Sequence, residues 1–100
     1  MVAVLKVVAK MNIASDEEDA VVELAEELVA STLCEEGCIS YNFCHEVDEN
    51  VDDSFAMMET WESQEALDKH MQSEHFTRLL PQIQQHCYGE LIITIYEVLA

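Results

Sequence analysis

Residues 38–62, CISYNFCHEVDENVDDSFAMMETWE, contain the pattern that decides the fold. Residues 38–47 and residues 54–62 both alternate apolar and polar side chains, a period of two that predicts β-strands. The side chains that share a face are Ile39, Tyr41 and Phe43 in the first strand, and Phe55, Met57, Glu59 and Trp61 in the second. The polar stretch 48–53 between them predicts a hairpin loop.

Upstream of this hairpin, the sequence predicts a strand over residues 2–12 and then a helix. Ser15 followed by Glu18 forms a capping box, so we expect the helix to begin at Ser15 and to run to about Leu33. Spacing of 100° per residue separates an apolar arc from an acidic one, which predicts a helix packed on a flat surface. The apolar arc holds Val21, Leu24, Ala25, Leu28, Val29 and Thr32.

Downstream of the hairpin, two short helical segments precede a last strand over residues 90–99. Ser63 is placed to cap the segment 63–71, and Ser73 is placed to cap the segment 73–80. Pro81 lacks an N–H group and disrupts a helix interior, so a break or bend is expected near it.

The resulting order, βαββαβ, is the split βαβ pattern of ferredoxin-like folds. It predicts one α+β domain over residues 1–100, with a four-stranded antiparallel sheet and helices on one face. The first and last strands carry apolar residues at successive positions, as in residues 2–5 and 91–93. Such strands are typical of sheets covered on both faces. Because the helices cover only one face, the other is expected to meet a second subunit.

The net charge of −17, from 21 acidic and 4 basic residues, excludes some classes of function. Nucleic acids and anionic membranes need clustered Lys and Arg, so neither is an expected partner. No apolar run approaches the roughly 20 residues of a membrane span, and the N-terminus does not resemble a signal peptide. We therefore expect a cytoplasmic protein without membrane insertion. Its four cysteines show no metal-binding spacing and are expected to be free thiols.

The segment from Glu35 to Leu79 resembles the antibiotic biosynthesis monooxygenase family. Its pattern is E-x-G-C-x-x-Y on the second strand, E-x-W on the third, and H-x-x-S-x-H-[FM] on the second helical segment. The residues matched to this pattern are Glu36, Gly37, Cys38 and Tyr41; Glu59 and Trp61; and His70, Ser73, His75 and Phe76. The resemblance implies homodimers whose sheets face each other as a barrel, with a pocket between sheet and helices in each subunit.

The resemblance also implies a function, because characterised relatives oxygenate quinols or anthrones without metal or flavin. The interpretation is a cofactor-independent monooxygenase that oxidises a quinol-like or polyhydroxylated aromatic with O₂. Such a site needs a base, groups that stabilise the anion, and a dry chamber, but no metal ligands. The alternative is a non-redox dimer, either a small-ligand-binding protein or an isomerase of a phosphorylated signal molecule. A lysine or arginine in the pocket, Lys69 or Arg78, would favour the phosphorylated ligand.

Three residues are the predicted catalytic groups: His75, His70 and Glu59. The two histidines point about 140° apart on a continuous helix and can converge only if Ser73 interrupts it. Glu59 lies on an apolar strand face, where it is either a base or a fixed hydrogen-bonding partner. The other predicted pocket residues are Trp61, Tyr41, Asn42, Phe55 and Phe76, although Tyr41 and Asn42 point to opposite faces. No residue is predicted to bind a cofactor or a metal, and His45 and His86 are expected at the surface.

Overall fold

The computed structural model describes residues 2–48 and 50–100, and its elements follow the predicted order. The strands are β1 (Leu5–Ile13), β2 (Cys38–His45), β3 (Ser54–Trp61) and β4 (Cys87–Glu97). The helices are α1 (Glu18–Thr32), α2 (Gln64–Met71) and α3 (Glu74–Gln84). The strands form one antiparallel sheet in the order β2-β3-β1-β4, which confirms the ferredoxin-like α+β fold.

The core lies between the sheet and the helices. Every second residue of β1, from Leu5 to Ile13, is buried, and these side chains face the helices. On α1 the buried positions are Val21, Ala25, Leu28 and Thr32, which belong to the predicted apolar arc. Alternation in the strands and the helical period in α1 therefore bring two apolar surfaces together, as amphipathic elements require.

The helix ends differ from the prediction in two places. The prediction of a capping box at Ser15 is wrong, because residues Ser15–Glu17 form a 3-10 turn and α1 begins at Glu18 without a side-chain cap. Of the break or bend expected near Pro81, the break is also wrong. Helix α3 continues through Pro81 to Gln84, so the missing N–H removes one bond near the end of the helix rather than terminating it.

Ser63 and Ser73 do cap α2 and α3. Their hydroxyl oxygens accept hydrogen bonds from the backbone N–H of Ala66, at 3.1 Å, and of Phe76, at 3.3 Å. The Ser73 cap ends one helical segment and starts the next, and it therefore sets the change in direction between α2 and α3.

Strands β1 and β2 are less uniform than their sequence patterns suggested. On the sheet face away from the helices, β1 presents Lys6 and Lys10 beside Val8, so the expectation of two apolar faces is wrong for this strand. The ammonium of Lys6 donates to the hydroxyl of Thr60 at 2.9 Å. In β2, a register shift between Cys38 and Ser40 leaves Ile39 half-exposed, away from the face that Tyr41 shares with the core.

Strand β4 contains no buried residue, although it includes Leu91, Ile92, Ile93 and Ile95. Ile92 is 53% exposed on the outer face and Ile95 is 46% exposed on the helix face. The helices therefore leave this strand open on their own side as well. The four cysteines are free thiols, and no helix in the described part of the chain has the length and apolar character needed to cross a bilayer.

Candidate active site

An apolar cavity lies between the sheet and helices α2 and α3. Its volume is about 30 Å³, room for roughly two water molecules. All four strands and helices α1 to α3 contribute to its wall. The groups in it that bear acid/base chemistry are Tyr41, Glu59 and His70. The rest of the wall is apolar, so these groups lie in a medium of low dielectric constant.

His70 is 1% exposed, and each of its two ring nitrogens has a hydrogen-bonding partner. Its Nδ1 lies 2.6 Å from Oε2 of Glu35, and its Nε2 lies 3.4 Å from the hydroxyl of Tyr41. A carboxylate can only accept, so the proton of a neutral His70 is on Nδ1 and the lone pair is on Nε2. Burial lowers the pKa of His70, although the bond to Glu35 acts in the opposite direction. At neutral pH, His70 is thus an uncharged imidazole whose acceptor nitrogen lies beside Tyr41 at the cavity wall.

His75 lies next to His70, but it does not line the cavity. The rings are 6.0 Å apart between centroids, because the Ser73 cap interrupts the helical segment as the pattern required. Nε2 of His75 lies 2.9 Å from Oε2 of Glu35, the same oxygen that His70 contacts. The expectation that His75 itself faces the pocket is therefore corrected: it reaches the carboxylate behind His70.

Glu59 is a buried carboxyl in the cavity wall, and Trp61 positions it. The indole N–H of Trp61 donates to Oε1 of Glu59 at 2.9 Å. Burial raises the pKa of Glu59 to about 7, the bond from Trp61 lowers it, and the charge of Glu35 raises it further. Trp61 is fully buried and does not line the cavity, so its predicted place in the pocket wall is corrected to a supporting one.

The other predicted pocket residues divide between the cavity and the rest of the molecule. Tyr41 and Phe76 line it, and burial raises the pKa of the Tyr41 phenol, as does the nearby charge of Glu59. Asn42 is exposed on the opposite side of β2, and Phe55 stacks on Phe43 and His45 beside a separate groove against α1. Neither Asn42 nor Phe55 reaches the cavity, which corrects both assignments. His45 is exposed, whereas His86 is partly buried and bonds Glu17.

Glu35 is the residue of the candidate site that the sequence interpretation missed. Glu36 was matched to the E-x-G-C pattern, yet counting back two positions from Gly37 gives Glu35. The structure distinguishes the two residues, because Glu36 is exposed while Glu35 holds both histidines. The signal for Glu35 in the sequence is the spacing of the motif, which places its glutamate two positions before Gly37. The contacts themselves join residues 35 and 40 positions apart, which local periodicity does not reveal.

The arrangement can move a proton inside an apolar chamber. His70 offers a neutral base, Glu59 titrates near neutrality, and no described residue that lines the cavity is a lysine or an arginine. Beside the cavity, Glu35, His70 and His75 place three ligand-type atoms within 4.8 Å of one another. Sequence spacing gave no indication of this cluster, because the fold assembles it from distant positions.

A family model described as antibiotic biosynthesis monooxygenase matches residues 4–81. An uncharacterized protein from Synechocystis sp. is 28% identical over 92 residues, which is 92% of this chain and 61% of that relative's length. The crystal structure of a conserved protein from Methanosarcina mazei Go1 superposes with a TM-score of 0.89 at 30% identity, covering 95% of this chain and 92% of that one. A crystal structure described as an antibiotic biosynthesis monooxygenase has a TM-score of 0.84 at 34% identity, covering 96% and 99%. The chain belongs to the antibiotic biosynthesis monooxygenase family.

Proposed function

We propose that this protein is a monooxygenase that oxidises a quinol-like or polyhydroxylated aromatic with O₂, with neither metal nor flavin in its cavity. The observation that carries the proposal is the orientation of His70. Glu35 fixes the proton on Nδ1, so Nε2 presents its lone pair at the wall of an apolar chamber. A hydroxyl of the substrate that enters this chamber meets an uncharged base at neutral pH.

The proposed reaction begins with transfer of a hydroxyl proton to Nε2 of His70. The resulting anion is electron-rich and passes one electron to O₂, and the two radicals combine to form a carbon–oxygen bond. Cleavage of the O–O bond then releases water, so a hydroquinone and O₂ give a hydroxyquinone and H₂O. Glu59, with a pKa of about 7, can return a proton to the departing oxygen. The Tyr41 phenol stays protonated because its pKa is raised, and it can donate to the substrate anion.

The small cavity requires an opening step before an aromatic ring can bind. A space for about two waters does not hold such a ring, so side chains must move. Met11, Met57 and Met71 lie in the wall, and methionine is unbranched and adapts to irregular space. Met71, Ile93 and Ile95 are also partly exposed, so they mark the side from which a substrate enters. We expect the pocket to select flat, apolar rings.

The alternative of a phosphorylated ligand has less support. Lys69 pairs with Glu65 at the surface, and Arg78 pairs with Glu27 and Glu74. Neither cation lines the cavity, so a phosphate group there would meet buried Glu59 without a compensating positive charge. A non-redox protein that binds an uncharged aromatic is the form of the alternative that fits the site.

We also propose that the protein is a homodimer that covers β4. The accessible surface is 6317 Å², whereas a compact monomer of this mass exposes about 5,800 Å². Much of the exposed apolar surface lies on one strand, where Ile92 and Tyr96 face outward beside Met58 and Val8 of the same sheet. A second copy with the same face would bury this surface about a two-fold axis.

Oxygen consumption tests the proposed activity. Purified protein is incubated with chelator and a panel of hydroquinones and hydroxyanthrones, and the loss of O₂ is measured. The proposal expects turnover with at least one apolar hydroquinone. A protein that consumes no oxygen with any member of the panel, yet binds one of them, would instead be the non-redox alternative.

Variants of the two cavity groups test the mechanism. His70→Gln and Glu59→Gln should each lower turnover by about 10²–10⁴, the range for lost general acid/base catalysis. His75→Ala should have a smaller effect because His75 does not reach the cavity. His86→Gln is the matched control, since His86 also bonds a glutamate, Glu17, but lies elsewhere. Unchanged turnover in both cavity variants, with native circular dichroism, would remove these residues from the reaction.

A further inference from the structure

We infer that Glu35, His70 and His75 form a binding site for a divalent transition metal ion beside the cavity, with His70 belonging to both. Each of the three residues offers one ligand atom, and these atoms lie within 4.8 Å of one another. Oε2 of Glu35 contacts both Nδ1 of His70 and Nε2 of His75. Two imidazole nitrogens and one carboxylate oxygen suit Zn²⁺, Co²⁺ or Ni²⁺, whereas Mg²⁺ and Ca²⁺ prefer oxygen ligands. Three protein ligands also leave a coordination position for water or another small ligand.

The spacing of the three atoms needs only a small adjustment to accept an ion. Glu35 Oε2 lies 2.6 Å from His70 Nδ1 and 2.9 Å from His75 Nε2. With bonds near 2.1 Å at tetrahedral angles, ligand atoms lie about 3.4 Å apart, so the carboxylate must withdraw by less than about 1 Å. Glu35 lies between α1 and β2, outside both elements, where its long side chain can make this movement. His70 and His75 are held in place by the two helices.

The surroundings allow an ion to reach this site. The side chains of Glu35 and His75 are 15% and 17% exposed, so an ion can reach these two ligands from solvent. Glu35, Glu36, Glu62 and Glu65 line one surface hollow together with Lys69. In a chain of net charge −17, this excess of carboxylates raises the local concentration of cations.

Occupation of the site would change the chemistry of His70. The ion takes the place of the Nδ1 proton, and a neutral imidazole bound through Nδ1 keeps its proton on Nε2. Nε2 then donates to the oxygen of Tyr41 and no longer accepts a proton from a substrate. This consequence rests on the proposed function, and it makes the metal an inhibitor of the cavity base. The binding itself does not depend on that function.

Titration of tag-free, chelator-treated protein with Zn²⁺ by calorimetry, and with Co²⁺ by visible absorption, tests the site. We expect one ion per chain and release of protons, seen as a dependence of the heat on the buffer. Glu35→Gln and His75→Ala each remove one ligand and should weaken binding by more than about 100-fold, the upper figure for loss of an outer-shell partner. Glu36→Gln and His86→Ala are the matched controls and should bind as wild type does.

Two results would overturn the proposal: no saturable binding of Zn²⁺ or Co²⁺ by the wild type, or binding that Glu35→Gln and His75→Ala leave unchanged. A separate measurement follows oxygen consumption as Zn²⁺ is added. Inhibition in the wild type that is lost in His75→Ala supports the link to Nε2, and full activity of the metal-loaded protein refutes that link. Absence of activity in the metal-free protein refutes the proposed function and leaves the calorimetric result standing.

Discussion

Strands β3 and β4 have a similar share of apolar residues but differ in burial. Six of the eight residues of β3 are buried, although the strand includes Ser54, Glu59 and Thr60. None of the eleven residues of β4 is buried, although Leu91, Ile92 and Ile93 follow one another. β3 lies between two strands and under the helices, whereas β4 is an edge strand paired only with β1. Burial here follows position in the sheet, and hydropathy shows which surface still needs a partner.

The candidate site follows the same division. β3 supplies Glu59 and its positioning partner Trp61, both inside the chain's own core. β4 supplies Ile93 and Ile95, which close the open side of the cavity while remaining partly exposed. The chemical groups are therefore fixed within one subunit, whereas the mouth of the cavity lies on the strand that we propose to be covered by another.

The largest expected difference between the strands is in stability. Trp61→Ala should lower the free energy of unfolding by about 3–5 kcal/mol, because it empties a fully buried site. Ile92→Ala should cost only about 1 kcal/mol in the monomer, since half of its side chain already meets water. Urea unfolding at low protein concentration measures both. Equal losses would mean that β4 is buried in solution even under those conditions.

The next effect concerns Glu59 and pH. Its pKa rises from 4.5 to about 7 on folding, so between these values the folded state keeps a proton that the unfolded state has released. Stability then falls as pH rises through this window, and the full difference is about 3 kcal/mol. Glu59→Gln should remove this loss, so the variant gains on the wild type from pH 4.5 to pH 7. Parallel pH profiles of the two proteins in urea unfolding would show that Glu59 has an ordinary pKa.

The fold was predictable from the sequence because its signals are local. The alternation in 38–47 and 54–62 and the capping serines at 63 and 73 each act within a few residues. The site was only partly predictable, because it depends on contacts between distant segments. Glu35 meets His70 and His75 across the fold, and periodicity carries no record of that approach. Pro81 shows the opposite case, because a strong local signal predicted a break that is absent. Helix α3 continues through Pro81, since tertiary context can override local propensity.

A charge on either face of β4 sharpens the comparison further. Ile92→Glu places a carboxylate on the outer face, and Ile93→Glu places one at the mouth of the cavity. If two sheets pack face to face, Ile92→Glu should weaken association by about 1–3 kcal/mol, the cost of burying an unpaired polar group. Ile93→Glu should leave association unchanged and reduce substrate binding instead. Sedimentation at micromolar concentration gives the mass of each variant and of the wild type in solution. A wild-type mass of 11.4 kDa, that of a single chain, would refute the proposed dimer.

The smallest expected effect concerns the Ser73 cap. It tests whether the candidate site is held together within one chain, as Glu59 and Trp61 of β3 are, and not by a partner subunit. The Ser73 hydroxyl donates to the carbonyl of His70 at 2.6 Å and accepts from the N–H of Phe76 at 3.3 Å. It thereby joins the end of α2 to the start of α3, where the chain turns to bring His75 beside His70. Ser73→Ala should cost about 1 kcal/mol of stability, the usual value for a lost N-cap.

Ser63→Ala removes the same kind of cap from α2 at a comparable cost, but it leaves the junction of the two helices intact. The NMR chemical shifts of the histidine ring nitrogens at one pH separate the two variants, because only Ser73→Ala should loosen the bond between His75 and Glu35. Identical ring-nitrogen shifts in both variants would mean that packing of α3 against α1, and not the Ser73 cap, holds the two histidines on their shared carboxylate.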